Sequence, residues 1–382
     1  MRRRGVLLGT VLAGTLATGV LATGMLATGR PARAADDIVI GAALSLSGPF
    51  AAYGEDAKAG IDLAVDSLNK KGGVLGRKLR IQYEDSAADR SKAAALYRKF
   101  GAQPEIVGDL FISSVEFVAL DPVANEVKLP LISIGSVIPF KNFSPWSFRI
   151  QLIVSKAMEP VLRQVKALKN ANSIAVIYDT ANNATVAEHE SVKATAPAAG
   201  LSLRTVETFR TGDQDFSLQL TQIAQSKPDL LYVAATSNEA ALIISQAREM
   251  GLNTPILGGA PLNDPKIGAL AGKAAYGVMT FASYSPKEDR PAVTEFLAQY
   301  KARTGQDNPA IYISLGYDSV GLLAQAVARA GSTNRDAIRQ ALGTTRDWQG
   351  VNGAFSYDGS GDNQRQEPRL LVFGPNGFEP LR

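Results

Sequence analysis

Cysteine is absent from the 382 residues, and histidine occurs once, at His189. Without thiols there is no disulfide framework, so a fold must be held by its buried core. With a single imidazole, histidine-based metal sites and Ser-His-acid triads have almost nothing to work with. His189 falls in a predicted helix and is expected there as a solvated residue. Phosphate chemistry lacks its usual cradle as well, because no Walker-type loop and no Gly-x-Gly-x-x-Gly follows a strand. Ser67-Leu68-Asn69-Lys70 matches Ser-x-x-Lys, but the Ser-Asp-Asn and Lys-Thr-Gly boxes of penicillin-recognising enzymes are missing. The acids Glu84, Asp85 and Asp89 suit a cation site or, equally, a polar turn that starts a helix.

Acidic residues are missing from the first 34 positions, which explains the chain's apparent basicity. Arg2, Arg3 and Arg4 precede an uncharged run from Gly5 to Gly29, and Ala32-Arg33-Ala34 supplies a small-x-small cleavage site. Residues 1–34 are expected to be a signal peptide. The run is long enough to span a bilayer, but glycine and threonine make it a weak span. Removing its five arginines takes the formal net charge from +4 to −1. No basic footprint for nucleic acid survives that correction. No cysteine stands at the cleavage site to accept lipid, which points to a soluble periplasmic protein rather than a tethered lipoprotein.

The remaining 348 residues are enough for two ordinary domains. Ile38–Leu44, Leu79–Tyr83, Glu105–Val107 and Leu131–Ile134 read as strands separated by helix-length segments. In the first of those segments Ala57, Gly60, Ile61, Ala64, Val65 and Leu68 share one helical face, and Gly72-Gly73 stops it. A second series follows Arg149, with strands predicted at Ser173–Tyr178, Leu201–Thr205, Leu230–Ala235 and Ile256–Gly258 and a helix over Asn238–Met250. Helices over Pro291–Thr304 and Ala310–Ala330 then lead to a glycine-rich hairpin region. The fold class is α/β, with doubly wound parallel sheets in two lobes.

Ligands of open parallel sheets sit beyond the carboxyl ends of the strands. The first such segment lies in GAALSLSGPFAAYGED, Gly41 to Asp56. It reads as a loop longer than the two to six residues that suffice to join strand to helix, and its Gly-Pro turn and tyrosine suit a receptor.

The stretches IVIGAALSLSGPFAAYGED, LNKKGGVLGRKLRIQYED, LPLIS, Phe148-Arg149, PDLLYVAATSNEAALIISQAREMGL and Gly316-Tyr317-Asp318, in this order, resemble the leucine/isoleucine/valine-binding proteins. These are substrate-binding components of ABC importers. The resemblance implies a type I periplasmic binding fold with a three-crossing hinge and a cleft between the lobes. Lobe one would take residues 36–150 and 284–361, and lobe two 151–283 and 362–382.

By the same resemblance Tyr53 reaches into the cleft, with an aromatic wall and a polar tip. Ser113 and Ser114 match the place where the family holds a ligand carboxylate at a helix start, where unpaired amides attract anions; the alignment leaves the choice between them open. Gly135, Ser136 and Val137 match the next contact loop. Asn183 and Thr236 stand at tyrosine positions of the family. Ala260 stands where amino-acid binders place the glutamate that pairs with the ligand ammonium. Burying an ammonium without a carboxylate costs several kcal/mol. The expected ligand is therefore a carboxylic acid lacking an α-amine, in preference to leucine, isoleucine or valine, unless Asp264 or Glu239 supplies the charge.

The function this implies is non-enzymatic, with no cofactor: capture of a small amino acid, amide or amine-free carboxylic acid and its delivery to an ABC permease in the inner membrane. A ligand-sensing component of a signalling receptor is the alternative.

Overall fold

Regular alternation of apolar runs and helical faces gives the described residues two large sheets. In the computed structural model, which describes residues 36–138, 143–357, 359, 361–365 and 367–381, the expected signal segment lies outside the described residues. The first sheet contains β1 (Ile38–Leu44), β2 (Leu79–Asp85), β3 (Ile106–Phe111), β4 (Leu131–Ser133) and β5 (Ser147–Arg149). Its order is β2-β1-β3-β4-β5, parallel throughout. Helices α1 (Ala51–Lys70), α2 (Arg90–Gly101) and α3 (Ser114–Val127) supply its first crossovers.

The second series runs α4 (Val154–Lys169), β6 (Ser173–Asp179), α5 (Asn183–Thr195), β7 (Ser202–Phe209), α6 (Ser217–Ser226), β8 (Leu230–Ala234), α7 (Ser237–Glu249) and β9 (Ile256–Gly258). A 3-10 turn at Ala260–Leu262, α8 (Lys266–Ala271) and β10 (Met279–Ala282) complete it. Then come α9 (Pro291–Thr304), α10 (Ile311–Ala330) and α11 (Arg335–Gly343), which return to the first sheet, where α10 packs on α1 and α11 on β3. A small hairpin, β11 (Trp348–Gly350) and β12 (Gly353–Phe355), precedes β13 (Arg369–Gly374) and β14 (Gly377–Pro380). The second sheet has the order β14-β13-β10-β9-β8-β6-β7. Its β10–β13 and β13–β14 pairs are antiparallel, so this sheet is mixed at one end rather than wholly parallel.

Burial follows position in the sheet. Central strands β3 and β8 are buried at every residue, as strands covered on both faces must be. Edge strands β2 and β7 carry Arg80, Glu84, Arg204 and Glu207 and are half open, which protects the free edges. Helix α1 buries Ala57, Gly60, Ile61 and Ala64. Its close crossing with α10 depends on glycines: a Cβ at Gly60 would lie 1.9 Å from the Ile313 carbonyl oxygen, and one at Gly316 2.3 Å from that of Ala57.

Four expectations change. Strand β3 runs to Phe111 because Gly108 packs under Leu323 and the buried Asp109 accepts the Ala43 N–H, so neither residue breaks the strand. Strand β7 continues to Phe209, its polar residues being tolerated at an edge. The segment between β1 and α1 spans only residues 45–50, and Tyr53 sits in the first turn of α1 rather than in a long loop. His189 is not solvated: it is buried and stacked on Tyr178, with ring centroids 4.3 Å apart, and burial lowers its pKa. Asp89 caps α2 through the Lys92 N–H, and Asp85 accepts the amides of Leu46, Ser47 and Ala87, the turn-forming roles open to these acids.

Candidate functional site

The carboxyl ends of the two sheets contribute to one cavity of about 40 Å³. Its first wall comes from Phe50 and Tyr53 at the start of α1, Ile112 to Val115 at the start of α3, Gly135 after β4, and Tyr312 on α10. Its second wall comes from Asn182, Ala184, Thr185 and Glu188 around α5, Thr236 before α7, and Pro261 in the 3-10 turn.

Tyr53 joins the two walls. Its ring packs on Tyr312, with centroids 4.7 Å apart, and its hydroxyl accepts the Ser237 N–H at the start of α7 at 2.8 Å. The Ser237 hydroxyl lies 3.3 Å from that oxygen and donates to the Pro261 carbonyl. Burial pushes the Tyr53 pKa well up, so the phenol keeps its proton. A second contact across the cleft, Lys266 Nζ to Asp56 at 3.3 Å, lies nearer the surface; burial raises Asp56 to about 6, against the pull of Lys266.

The two serines have different duties. Ser113 is the N-cap of α3 in a capping box: its hydroxyl accepts the Glu116 N–H and donates to the Glu116 carboxylate at 2.7 Å. The Ser114 hydroxyl accepts the Val137 N–H at 3.2 Å and keeps its own proton for another acceptor. Ser114 and Val115 both line the cavity, and their amides, first in α3, have no partner among the described residues. Burial raises the pKa of Glu116, which favours its uncharged form beside this anion-attracting helix end.

Tyr53, Ser113, Ser114, Gly135 and Thr236 thus come together at the cavity, whereas Ser136, Val137 and Asn183 are not among the described residues that line it. A Cβ at Gly135 would meet Tyr312 at 2.8 Å, so glycine there admits the aromatic wall. Ser136 is fully buried, and Val137 packs into the apolar cluster of the second lobe. Asn183 opens α5, but it is the N-cap Asn182 that reaches the cavity. Thr236 precedes α7, and its hydroxyl donates to Glu239. Ala260 begins the 3-10 turn, its side chain lying outside the described residues.

Of the lining residues not singled out from the sequence, Phe50, Ile112, Val115, Asn182, Ala184, Thr185 and Pro261 lie in the segments just after strands that the sheet rule points to, whereas Glu188 and Tyr312 lie outside them. Glu188 matters most, because the acids expected to be able to serve the second wall were Asp264 and Glu239. Ala184 and Glu188, four apart on α5, put the carboxyl on the cavity face. Neither Asp264 nor Glu239 lines the cavity: Asp264 accepts the Lys266 N–H, and Glu239 accepts from Thr236 and the Gly212 N–H.

Hinge geometry completes the site. The Arg149 guanidinium, with no exposed surface, lies 2.7 Å from Asp362 and donates to the carbonyl oxygens of Ile138 and Ser136. The Arg149 N–H donates to the Gly361 carbonyl, and the Tyr357 hydroxyl donates to that of Arg149.

Two lobes with a cavity between sheet ends define a binding protein of the periplasmic type, and the comparisons agree. The chain matches the periplasmic binding protein family over residues 37–372 and belongs to it. It is 29% identical over 345 residues to the Leu/Ile/Val-binding protein BraC3 of Rhizobium johnstonii, covering 85% of this chain and 89% of that one. Among solved structures it resembles the leucine-binding protein LivK of Thermotoga maritima, with a TM-score of 0.83, 26% identity, and coverage of 90% and 98%. It also resembles LivJ of Streptococcus pneumoniae, a branched-chain amino acid transporter substrate-binding protein in complex with isoleucine, with a TM-score of 0.82 and the same identity and coverage. The chain is thus a substrate-binding protein and not an enzyme.

Proposed function

We propose that this protein captures a small carboxylate-bearing solute in the periplasm, closes its lobes on it, and presents the closed form to an ABC permease of the inner membrane. The observation that carries the reading is the start of α3, where Ser114 and Val115 line the cavity and their amides have no partner among the described residues. Unpaired amides at the positive end of a helix are a ready anion site. The Tyr53–Tyr312 pair beside them supplies an apolar surface for the rest of the solute. A cavity of about 40 Å³ holds roughly three water molecules at ~10–15 Å³ each. A solute the size of an amino acid therefore enters only if the lobes part and the Tyr53–Ser237 bond opens, which is the reason to expect hinge motion.

A thermal-shift screen of amino acids, their 2-oxo and 2-hydroxy analogues, and the matching amides tests the anion site. Carboxylates are expected to raise the melting temperature, by ~2.7 kcal/mol of stabilisation at a hundredfold excess over Kd, and the amides are expected to give none. Ser114→Ala is expected to weaken binding by about 1–3 kcal/mol. Ser113→Ala, which removes a cap, is expected to cost about 1 kcal/mol of stability and leave affinity nearly unchanged. Equal shifts by acids and amides, or full affinity in Ser114→Ala, would contradict the reading.

A further inference from the structure

We propose that Glu188 is a specificity-determining residue, whose carboxylate takes up a positively charged amine of the solute, so that the protein selects small zwitterions over amine-free acids. The inference rests on the carboxylate-binding reading above. Glu188 is only 3% exposed, yet it lines the cavity. One carboxyl oxygen, Oε2, accepts from the Tyr232 hydroxyl at 3.0 Å. The other, Oε1, has no hydrogen-bond partner among the described residues, and a Cβ on Gly259 would lie only 2.2 Å from it. Glycine after β9 therefore leaves the room that the carboxyl occupies. A buried acid on a cavity wall, with one oxygen unpartnered, ionises readily only when a cation arrives beside it.

Among the described residues no cation is placed to be that partner. The other titratable groups on the cavity walls are Tyr53 and Tyr312, both kept neutral by burial. Tyr232, beneath Glu188 on β8, is held neutral in the same way. His189, next in the chain, stacks on Tyr178, and burial disfavours its charged form. The solute must bring the charge. Ser114 and Val115 on the opposite wall take a carboxylate, so one molecule carrying both groups satisfies both walls at once.

Proton traffic follows. Burial raises the pKa of Glu188 to about 8, against the Tyr232 hydrogen bond that lowers it. At pH 7 the acid is mostly protonated; when an ammonium arrives, the carboxyl proton leaves to solvent and the carboxylate–ammonium pair remains. Amino-acid affinity should then rise close to tenfold per pH unit from pH 6 to pH 7.5 and level off above pH 8. An amine-free acid needs no ionised Glu188, and its affinity gains nothing from that rise.

The test is titration calorimetry of the mature chain with L-leucine, L-isoleucine, L-valine and 4-methyl-2-oxopentanoate, in buffers of differing ionisation enthalpy. Expected are release of nearly one proton per bound amino acid at pH 7, none for the oxo acid, and tighter binding of at least one amino acid than of the oxo acid. Glu188→Gln should abolish proton release and weaken the amino acid about 30-fold or more, the scale for removing one partner of a buried charge pair. It should leave the oxo acid within about threefold, which also shows that the variant folds. Tyr232→Phe, which removes the bond that lowers the Glu188 pKa, should shift the pH midpoint for amino-acid binding upward. Preference for the oxo acid, or an unchanged amino-acid affinity in Glu188→Gln, overturns the proposal and leaves the carboxylate site standing. No binding by any of the four overturns both.

Discussion

Replacing Arg149 by methionine is expected to destabilise the protein by about 3–5 kcal/mol and to abolish measurable solute binding, although Arg149 is not among the residues that line the cavity. A guanidinium with no exposed surface persists only beside partners: Nε donates to Asp362, whose carboxylate also lies 2.7 Å from one terminal nitrogen, and the other terminal nitrogen donates to the carbonyl oxygens of Ile138 and Ser136. Burial lowers its pKa, and the carboxylate of Asp362 opposes the shift. Removing the cation leaves a carboxylate facing an apolar side chain, and breaking one side of a buried pair costs in that range. The functional loss follows from position. Arg149 ends β5 where the chain leaves the first sheet, Asp362 lies where it returns to the second, and the two carbonyls belong to the segment after Gly135. Arg149→Met with Asp362→Leu should recover part of the stability, because no charge is then stranded. Chemical denaturation of the single and double variants measures both effects, and a single variant as stable as the parent would contradict this account of the hinge.

Gly60→Val should be nearly as damaging, by ~3 kcal/mol or more, at the upper end of the range for overpacking. The obstacle is backbone: a Cβ would stand 1.9 Å from the Ile313 oxygen and 2.9 Å from the Tyr317 nitrogen, neither of which can rotate away. Helices α1 and α10 would have to separate. Tyr53 sits in the first turn of α1 and Tyr312 in that of α10, so the aromatic pair at 4.7 Å would be pulled apart with them. Wild-type stability in Gly60→Val, measured by thermal unfolding, would show that the crossing tolerates what its geometry forbids.

The fold was largely legible because its signals are periodic. β1, β9 and α9 occupy the residues that the pattern predicts, and α10, though apolar enough to resemble a membrane span, is mostly buried in the core. The errors fell where tertiary contacts excuse a polar residue. Asp109 is acceptable in β3 because β1 offers it an amide, and Glu207 in β7 because that edge faces solvent. The lining of the candidate cavity was legible where it follows a strand, as for Tyr53, Ser114 and Gly135. It was hidden where helices bring distant residues in. Tyr312 arrives from a helix more than 250 residues after Tyr53, and Glu188 sits between Ala187 and His189 with the composition of a solvated helix. Its burial depends on the approach of β8 and Gly259, which no local pattern announces.

Closure of the two lobes on a bound solute can be followed by small-angle X-ray scattering of the mature chain, free and saturated with the tightest carboxylate from the thermal-shift screen. A larger radius of gyration is expected for the free protein and a smaller one on saturation, because only the closed form satisfies the solute from both walls. An identical radius in the two states, with binding confirmed in the same sample, would contradict it.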